Sequence, residues 1–509
     1  MNRVLFQLLD GRQLQVKALG GRLQCALDNA WQPAFLKMTF IEDGTVELPE
    51  IHQTVRLIDQ EADRRRMELQ ELACFAGIAV KFQEVRSGAE IRVSIAAEGL
   101  QYTCNGKWRP QFKHLDFHAD DVVVFPEIHH SAKLPETSAG DVRATLQALA
   151  AIAGYGADFP EARGKGCLRM TLAGLQRLQY TVDGQVRPPF SNMYFQEDFV
   201  HFPELGTTAK LPQKAFCARL AIQKLACMAS LGLHFEEARG HGHICVTCAD
   251  DRLLQYTVDG IPRPTFQQMV FLQDDMVDFP DIGTSIQLPH SCANELRAQL
   301  QDLACRVHLG VRFQTARGNR MIRFHLGHQN LQYTVDGLWR PTILQMTFHE
   351  NGLLNIPELN KTVTMAGKEV EGLRILLQEL AALAGLCVCF VEARCKDCIR
   401  ISIAGDNLLQ YTVNGSWRPC FTDLDIHEDG WVDFPDLGRK AQLPFDQVYT
   451  LRSQLRELQR RSREREEDTE ASETSRPQPE ANGGARWLVV DADSVQLTAE
   501  ESDQFASAL

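Results

Sequence analysis

The 509-residue chain has no run approaching the roughly 18 consecutive apolar residues of a membrane helix, so no transmembrane span is expected. It also lacks a basic excess, with 53 Lys and Arg against 66 Asp and Glu, a formal charge of −13. Neutralising nucleic-acid phosphates needs the opposite balance, and nucleic acid is not an expected partner. There is no phosphate loop, dinucleotide fingerprint or nucleophile motif, which leaves no cofactor to expect and no enzymatic reading to support. The 15 cysteines are odd in number and vary in position between repeats, unlike the fixed framework of a small secreted domain. The N-terminus carries Arg3 early and lacks an apolar leader run. A reducing, cytoplasmic setting is the expectation.

What the chain does contain is repetition. LQYTVDGLWRP, Leu331 to Pro341, recurs as LQYTCNGKWRP from Leu100, LQYTVDGQVRP from Leu178, LQYTVDGIPRP from Leu254 and LQYTVNGSWRP from Leu409, with a worn copy, LQCALDNAWQP, from Leu23. The glutamines at 24, 101, 179, 255, 332 and 410 are spaced by 77, 78, 76, 77 and 78 residues, a period longer than those of common helical solenoids. With 44% hydrophobic and 23% charged residues, the bulk of the chain has the composition of a globular protein. Much of its negative charge sits at one end, since residues 461–509 hold 12 acidic and 5 basic side chains.

One period predicts a helix followed by an antiparallel meander. Pro135, Pro212, Pro289 and Pro444 suit a first helical turn. The stripe Leu377, Leu380, Ala381, Ala384 has helical spacing, as do Leu69, Leu72, Ala73, Ala76 and Leu146, Leu149, Ala150, Ala153. Gly77, Gly154, Gly232, Gly310 and Gly385 read as helix stops. Short alternating segments closed by Asp336-Gly337, Asn414-Gly415, Asn351-Gly352 and Asp429-Gly430 read as about five strands with tight hairpin turns.

The expected fold is therefore an α+β repeat protein of six tandem units. These are 1–57 (strands only, degenerate), 58–134, 135–211, 212–288, 289–365 and 366–443. A terminal capping helix at 444–461, a disordered charged linker at 462–485 and a docking or interaction segment at 486–509 follow, the last carrying Trp487, Leu488, Val489 and Val490. The helix missing at the start is present at the end, which permits a closed ring or an open array. Gln459 and Ser462, standing where other copies have alanine, favour an open superhelical array with a polar end.

Within the phrase, Leu331 and Tyr333 are explained by core packing, while Gln332 and its equivalents Gln101, Gln179, Gln255 and Gln410 fall on the opposite face, a solvent-facing strand position. Their recurrence implies a ladder of side-chain bonds between neighbouring units, retention by duplication alone, or contact with a partner. Arg109, Arg187, Arg263, Arg340 and Arg418 follow the turn in five copies; unit one has Gln32. An acidic residue after a later proline, at Glu50, Glu127, Glu204, Asp281, Glu358 and Asp436, offers them structural ion pairs. Without such pairs, the arginines form a row facing an anionic partner. A further arginine recurs in the second strand as Arg92, Arg169, Arg323 and Arg400.

Cys245-x-x-Cys248 and Cys395-x-x-Cys398 have zinc-like spacing, but intervening copies lack both cysteines, and the reading is of idle thiols without a metal. His118, His349 and His427 read as surface strand positions. The functional expectation is a non-enzymatic, multivalent protein-interaction scaffold with protein partners and self-association open to it. The alternatives are a structural or assembly component, and a small-ligand or glycan binder with one site per repeat.

Overall fold

The computed structural model describes residues 3–162, 166–212, 215–316, 319–365, 369–406 and 408–474. Its helices are α1 (Ala62–Phe75), α2 (Ala139–Ala153), α3 (Ala215–Met228), α4 (Ala293–Arg306), α5 (Val370–Leu383) and α6 (Val448–Thr474). Between them the chain builds small antiparallel sheets of two kinds, four-stranded then three-stranded, so the protein is a β-rich repeat of sheets and helices. In the second copy Ala79–Gln83, Glu90–Ala96, Gly99–Cys104 and Gln111–Phe112 pair in chain order, and Asp116–Phe117, Val122–Phe125 and His130–Lys133 form the smaller sheet. The expected five strands are thus seven. Several span only two to four residues, too short for alternation to reveal them in sequence.

The predicted turns follow from backbone chemistry. Asp336 and Gly337 have φ of +51° and +80°, the left-handed pair that a two-residue hairpin needs. Asp336 Oδ1 accepts the Met321 N–H at 2.8 Å across the hairpin base. Gly337 is required for a second reason: a Cβ there would collide with the Asn294 carbonyl oxygen at the start of α4. The hairpin tip therefore buttresses the helix.

Helix ends differ from expectation in detail. Each proline precedes its helix by several residues, because the chain first makes a turn in which Ser138, Cys292 and Gln447 donate to the carbonyls of Pro135, Pro289 and Pro444. Gly77, Gly154 and Gly385 do adopt positive φ after the helix. Gly232 and Gly310 instead open strands, and Ser230 and His308 take the left-handed position.

Core packing shows how the elements group. Leu146, Leu149 and Ala150 of α2 share a hydrophobic cluster with Ile91, Val93, Leu100 and Tyr102 of the sheet that precedes them. Ala218, Ile222 and Leu225 of α3 likewise join Leu168, Met170, Leu178 and Tyr180. Helices α2 and α3 thus pack on the strands before them, and each helix from α1 to α5 also packs on the strand after it; among the described residues the order four-stranded sheet, three-stranded sheet, helix recurs six times, over 3–75, 79–153, 156–228, 232–306, 310–383 and 387–474. The helix expected at 444–461 as an added cap supplies Leu451, Leu455 and Leu458 to the last core, as Leu377 and Leu380 do one repeat earlier.

Gln459 and Ser462 do not form a polar outer face. Ser462 is buried, and Gln459 Nε2 donates to the Leu424 carbonyl oxygen. The outward residues are Ser453, Gln454, Arg456 and Arg460. Helix α6 runs on to Thr474, through the first half of the stretch expected to be a disordered linker; Arg and Glu are good helix formers and the first prolines come only at Pro477 and Pro479. Trp487, Leu488, Val489 and Val490 lie outside the described residues. Among the described residues no helix is long and apolar enough to cross a membrane.

Candidate functional site

The repeated phrase occupies the third strand of each four-stranded sheet and the turn after it. Both faces of that strand are covered: Leu331 and Tyr333 on one side, Gln332 and Thr334 on the other, are all at most 2% exposed. The expectation that the glutamine face is solvent-facing is overturned, because the preceding helix lies against it. Thr334 Oγ1 donates to Gln301 Oε1 of α4, and Thr103, Thr181 and Thr412 do the same to Gln70, Gln147 and Gln378, at 2.5–2.6 Å.

Those helix glutamines were not singled out from sequence. Their signal is present in the recurring Leu-Gln-x-Leu-Ala of Leu300–Ala304 and Leu377–Ala381, where one polar residue interrupts the apolar stripe. The same layer explains Arg92, Arg323 and Arg400, which pair with Glu71, Asp302 and Glu379 of the helices at 3.3, 2.9 and 2.7 Å. Arg169 pairs with Asp158 at 3.2 Å. One copy places His325 where the others have Ser94, Thr171, Thr247 and Ser402, each opposite the phrase glutamine. Its Nδ1 faces Gln301 Nε2 at 2.7 Å and its Nε2 lies 3.1 Å from the Met269 carbonyl. Burial pushes its pKa down to about 3, against the smaller opposing effect of the Met269 carbonyl.

Five of the six phrase glutamines join their own repeat to the one before. Gln332 Oε1 accepts the Phe271 N–H and Nε2 donates to the Phe271 carbonyl, both at 2.7 Å, and Nε2 also donates to the Arg340 carbonyl at 3.2 Å. Gln101 clasps Phe40 and the Arg109 carbonyl in the same way, Gln179 clasps Phe117 and Arg187, and Gln410 clasps Phe348 and Arg418. Gln255 repeats this with Phe195 and Arg263. Trp108, Trp339 and Trp417 add an indole N–H to the same phenylalanine carbonyls at 2.6–2.7 Å. A partner cannot reach these five amides; as contact residues they are replaced by what they position.

What they position is an arginine. The clasp fixes the backbone carbonyl of Arg109, Arg187, Arg263, Arg340 and Arg418, one at each of five seams. The first three side chains are exposed and the last two half-buried. The structural pairing expected for them is not made. Glu127 accepts the N–H groups of Lys113 and His114, Asp281 those of Gln267 and Gln268, Glu204 that of Ser191, Glu358 that of Leu344 and Asp436 that of Thr422. Glu50 serves Leu36 and Lys37. Each carboxylate sits on a short turn beside the loop linking the two sheets, where backbone amides are nearer than any guanidinium. Among the described residues, none of the five arginines enters an ion pair with a carboxylate.

Cysteine chemistry is sparse here. All 15 thiols are free, Cys245 and Cys248 are buried, and burial pushes the Cys248 thiol up to about 12. Among the described residues no group of three or more His, Cys, Asp or Glu side chains is placed to hold a metal ion.

Comparison with known proteins finds no matching family model and no matching curated protein. Solved structures give matches of low similarity. BBS1N in complex with ARL6DN, soaked with lead, aligns at 9% identity over 72% of this chain and 92% of that one, with a TM-score of 0.12. The mercury-soaked complex gives 11%, the same coverage and 0.13. A structure from work on two prolyl endopeptidases gives 8% identity, 80% and 47% coverage, and a TM-score of 0.12. Scores this low define no shared fold.

Proposed function

We propose that this protein is a non-enzymatic scaffold, an open array of six repeats that presents Arg109, Arg187, Arg263, Arg340 and Arg418 to an acidic protein partner. The observation that carries this reading is the division of labour in the phrase: Leu and Tyr fill the core, Gln clasps the preceding repeat, Thr bonds the helix, and the Asp or Asn closes the hairpin. Among the described residues the arginine is left without an opposite charge. Guanidinium groups bind carboxylates in a bidentate geometry, and contacts linked in series gain affinity through effective concentration.

An open array is supported at α6, where Tyr449 is 87% exposed.

The test replaces all five arginines by glutamate, and separately by lysine, and measures anisotropy of a labelled poly-glutamate chain together with affinity capture from native lysate. The reading expects thermal unfolding unchanged in both variants, binding abolished by glutamate, and weaker, more salt-sensitive binding with lysine. Partners captured equally by wild type and the glutamate variant refute it.

A further inference from the structure

The sheet that opens the chain lacks the cover its five counterparts share. Each later four-stranded sheet takes the preceding helix on the face that carries the phrase glutamine, and Gln101, Gln179, Gln255, Gln332 and Gln410 are at most 2% exposed there. The first sheet is built from Arg3–Gln7, Gln13–Leu19, Arg22–Leu27 and Ala30–Phe35. On its equivalent face Leu5, Leu19 and Trp31 are 59%, 49% and 46% exposed. Large apolar side chains gathered on one open face mark an interaction surface.

The charges on this face point to an occupant. Leu5, Gln15, Ala26 and Trp31 form one row across the four strands; Arg3, Lys17 and Gln24 form the next, and Leu19 and Arg22 lie beyond. In later sheets the first of these rows is charged: Lys81 and Arg92 meet Glu71 of α1, and Arg312 and Arg323 meet Asp302 of α4. Their second row is neutral, with Ser94 and Ser402 accepting from the amides of Gln70 and Gln378. The first sheet reverses the pattern, placing apolar side chains where the cations stand elsewhere and cations where the serines stand. Its strand positions on this face hold no Asp or Glu, and among the described residues Arg3, Lys17 and Arg22 enter no ion pair. Lys17 Nζ instead lies over the Trp31 ring, 3.9 Å from its centroid. The α6 helix of a second copy is a poor cover, because Arg456 stands where α5 has Gln378 and would meet Lys17 where Gln378 meets Ser402.

We propose that this face binds an acidic amphipathic helix of a partner protein, with the helix's apolar stripe over Leu5 and Trp31 and its carboxylates reaching Arg3, Lys17 and Arg22. The five covered counterparts supply the geometry, a helix laid across the sheet, and the unpaired cations supply the sign of its charge. The site is separate from the arginine row and does not depend on it. The test uses the full chain at physiological salt, with a labelled, capped helical peptide whose leucine stripe is flanked by glutamates, and the same peptide with lysines for glutamates, read by anisotropy. The glutamate peptide is expected to bind at least about tenfold more tightly than the lysine peptide. Leu5→Ser with Trp31→Ser alters no charge and none of the five seam arginines; it is expected to leave thermal unfolding in place and to weaken the glutamate peptide at least about tenfold. Arg3→Glu with Lys17→Glu is expected to reverse the preference between the peptides. No binding by wild type, equal binding by wild type and the Leu5 and Trp31 variant, no preference for glutamate, or self-association of the chain that this variant abolishes overturns the proposal.

Discussion

His325 gives the most quantitative test of the packing described above. It is fully buried and neutral, with Nε2–H donating to Met269 and Nδ1 accepting from Gln301, so the fold has no room for a second ring proton. The folded pKa is about 3, whereas an unfolded chain has a histidine pKa of about 6.5. Between those values the unfolded state binds more protons than the folded one, so stability rises with pH and is lost on acidification below 6.5. From pH 7 to pH 4.5 this single group should cost about 2.5 kcal/mol. The perturbation is His325→Ser, which installs the residue that Ser94 and Ser402 supply in equivalent strands. Urea midpoints of both proteins at pH 7 and pH 4.5 give four numbers. The variant is expected to lose less stability than wild type across that interval by about the stated amount, whatever its starting stability at pH 7. Equal acid sensitivity in the two proteins would refute the buried, neutral assignment.

Three further outcomes follow from the seams and turns. Gln332→Leu strands the Phe271 N–H and removes a donor from its carbonyl, and is expected to cost about 2–4 kcal/mol in chemical unfolding; Gln24→Leu, whose only amide bond is to the Gln32 carbonyl of its own repeat, should cost less than about 1 kcal/mol. Gly337→Ala adds both a left-handed strain and a collision with Asn294, and should destabilise by at least about 2 kcal/mol, while Gly11→Ala, at φ +85° with open space around it, should cost about 1 kcal/mol. Glu84 is buried, yet hydrogen bonds from the Ser87 hydroxyl and the N–H groups of Lys133 and Ser87 outweigh that burial and hold its pKa at about 2. Its contribution is present above the ordinary glutamate range and lost as pH falls towards 2, so Glu84→Gln should be less stable at pH 7 and show a shallower acid transition than wild type.

The period, the helix, the hairpin turns and the inward Leu and Tyr were all legible, because each leaves a local signature in spacing or residue type. The second sheet was not. A strand of two residues such as Asp116–Phe117 has no alternation to read, and its place is set by its partner Val122–Phe125. Sequence shows the order of elements round the cycle but not what each helix covers; α2 packs on strands to either side, Glu90–Ala96 before it and Gly156–Pro160 after it. Gln332 was assigned to solvent because a polar residue alternating with apolar ones ordinarily is. Recognising it as buried required knowing that a helix covers that face, for which the buried polar partner Gln301 was the available clue.

Duplication alone would also preserve an arginine in five copies, and the phrase itself argues against that as a sufficient account. The residue immediately before the arginine has diverged to Trp108, Val186, Pro262, Trp339 and Trp417, although the tryptophan form makes a hydrogen bond across the seam that the valine and proline forms forgo. The copies have therefore had freedom to drift at a position with a structural task, while the adjacent side chain, which has no counter-charge among the described residues, is unchanged. In the first repeat Gln32 stands in place of arginine, and Gln24 Nε2 donates to the Gln32 carbonyl of its own strand. The five arginines all lie on repeats whose phrase glutamine clasps the repeat before. That coupling separates a surface role from a folding role: charge reversal at the five seams should leave the unfolding transition in place, whereas breaking the glutamine clasps beneath them should lower it.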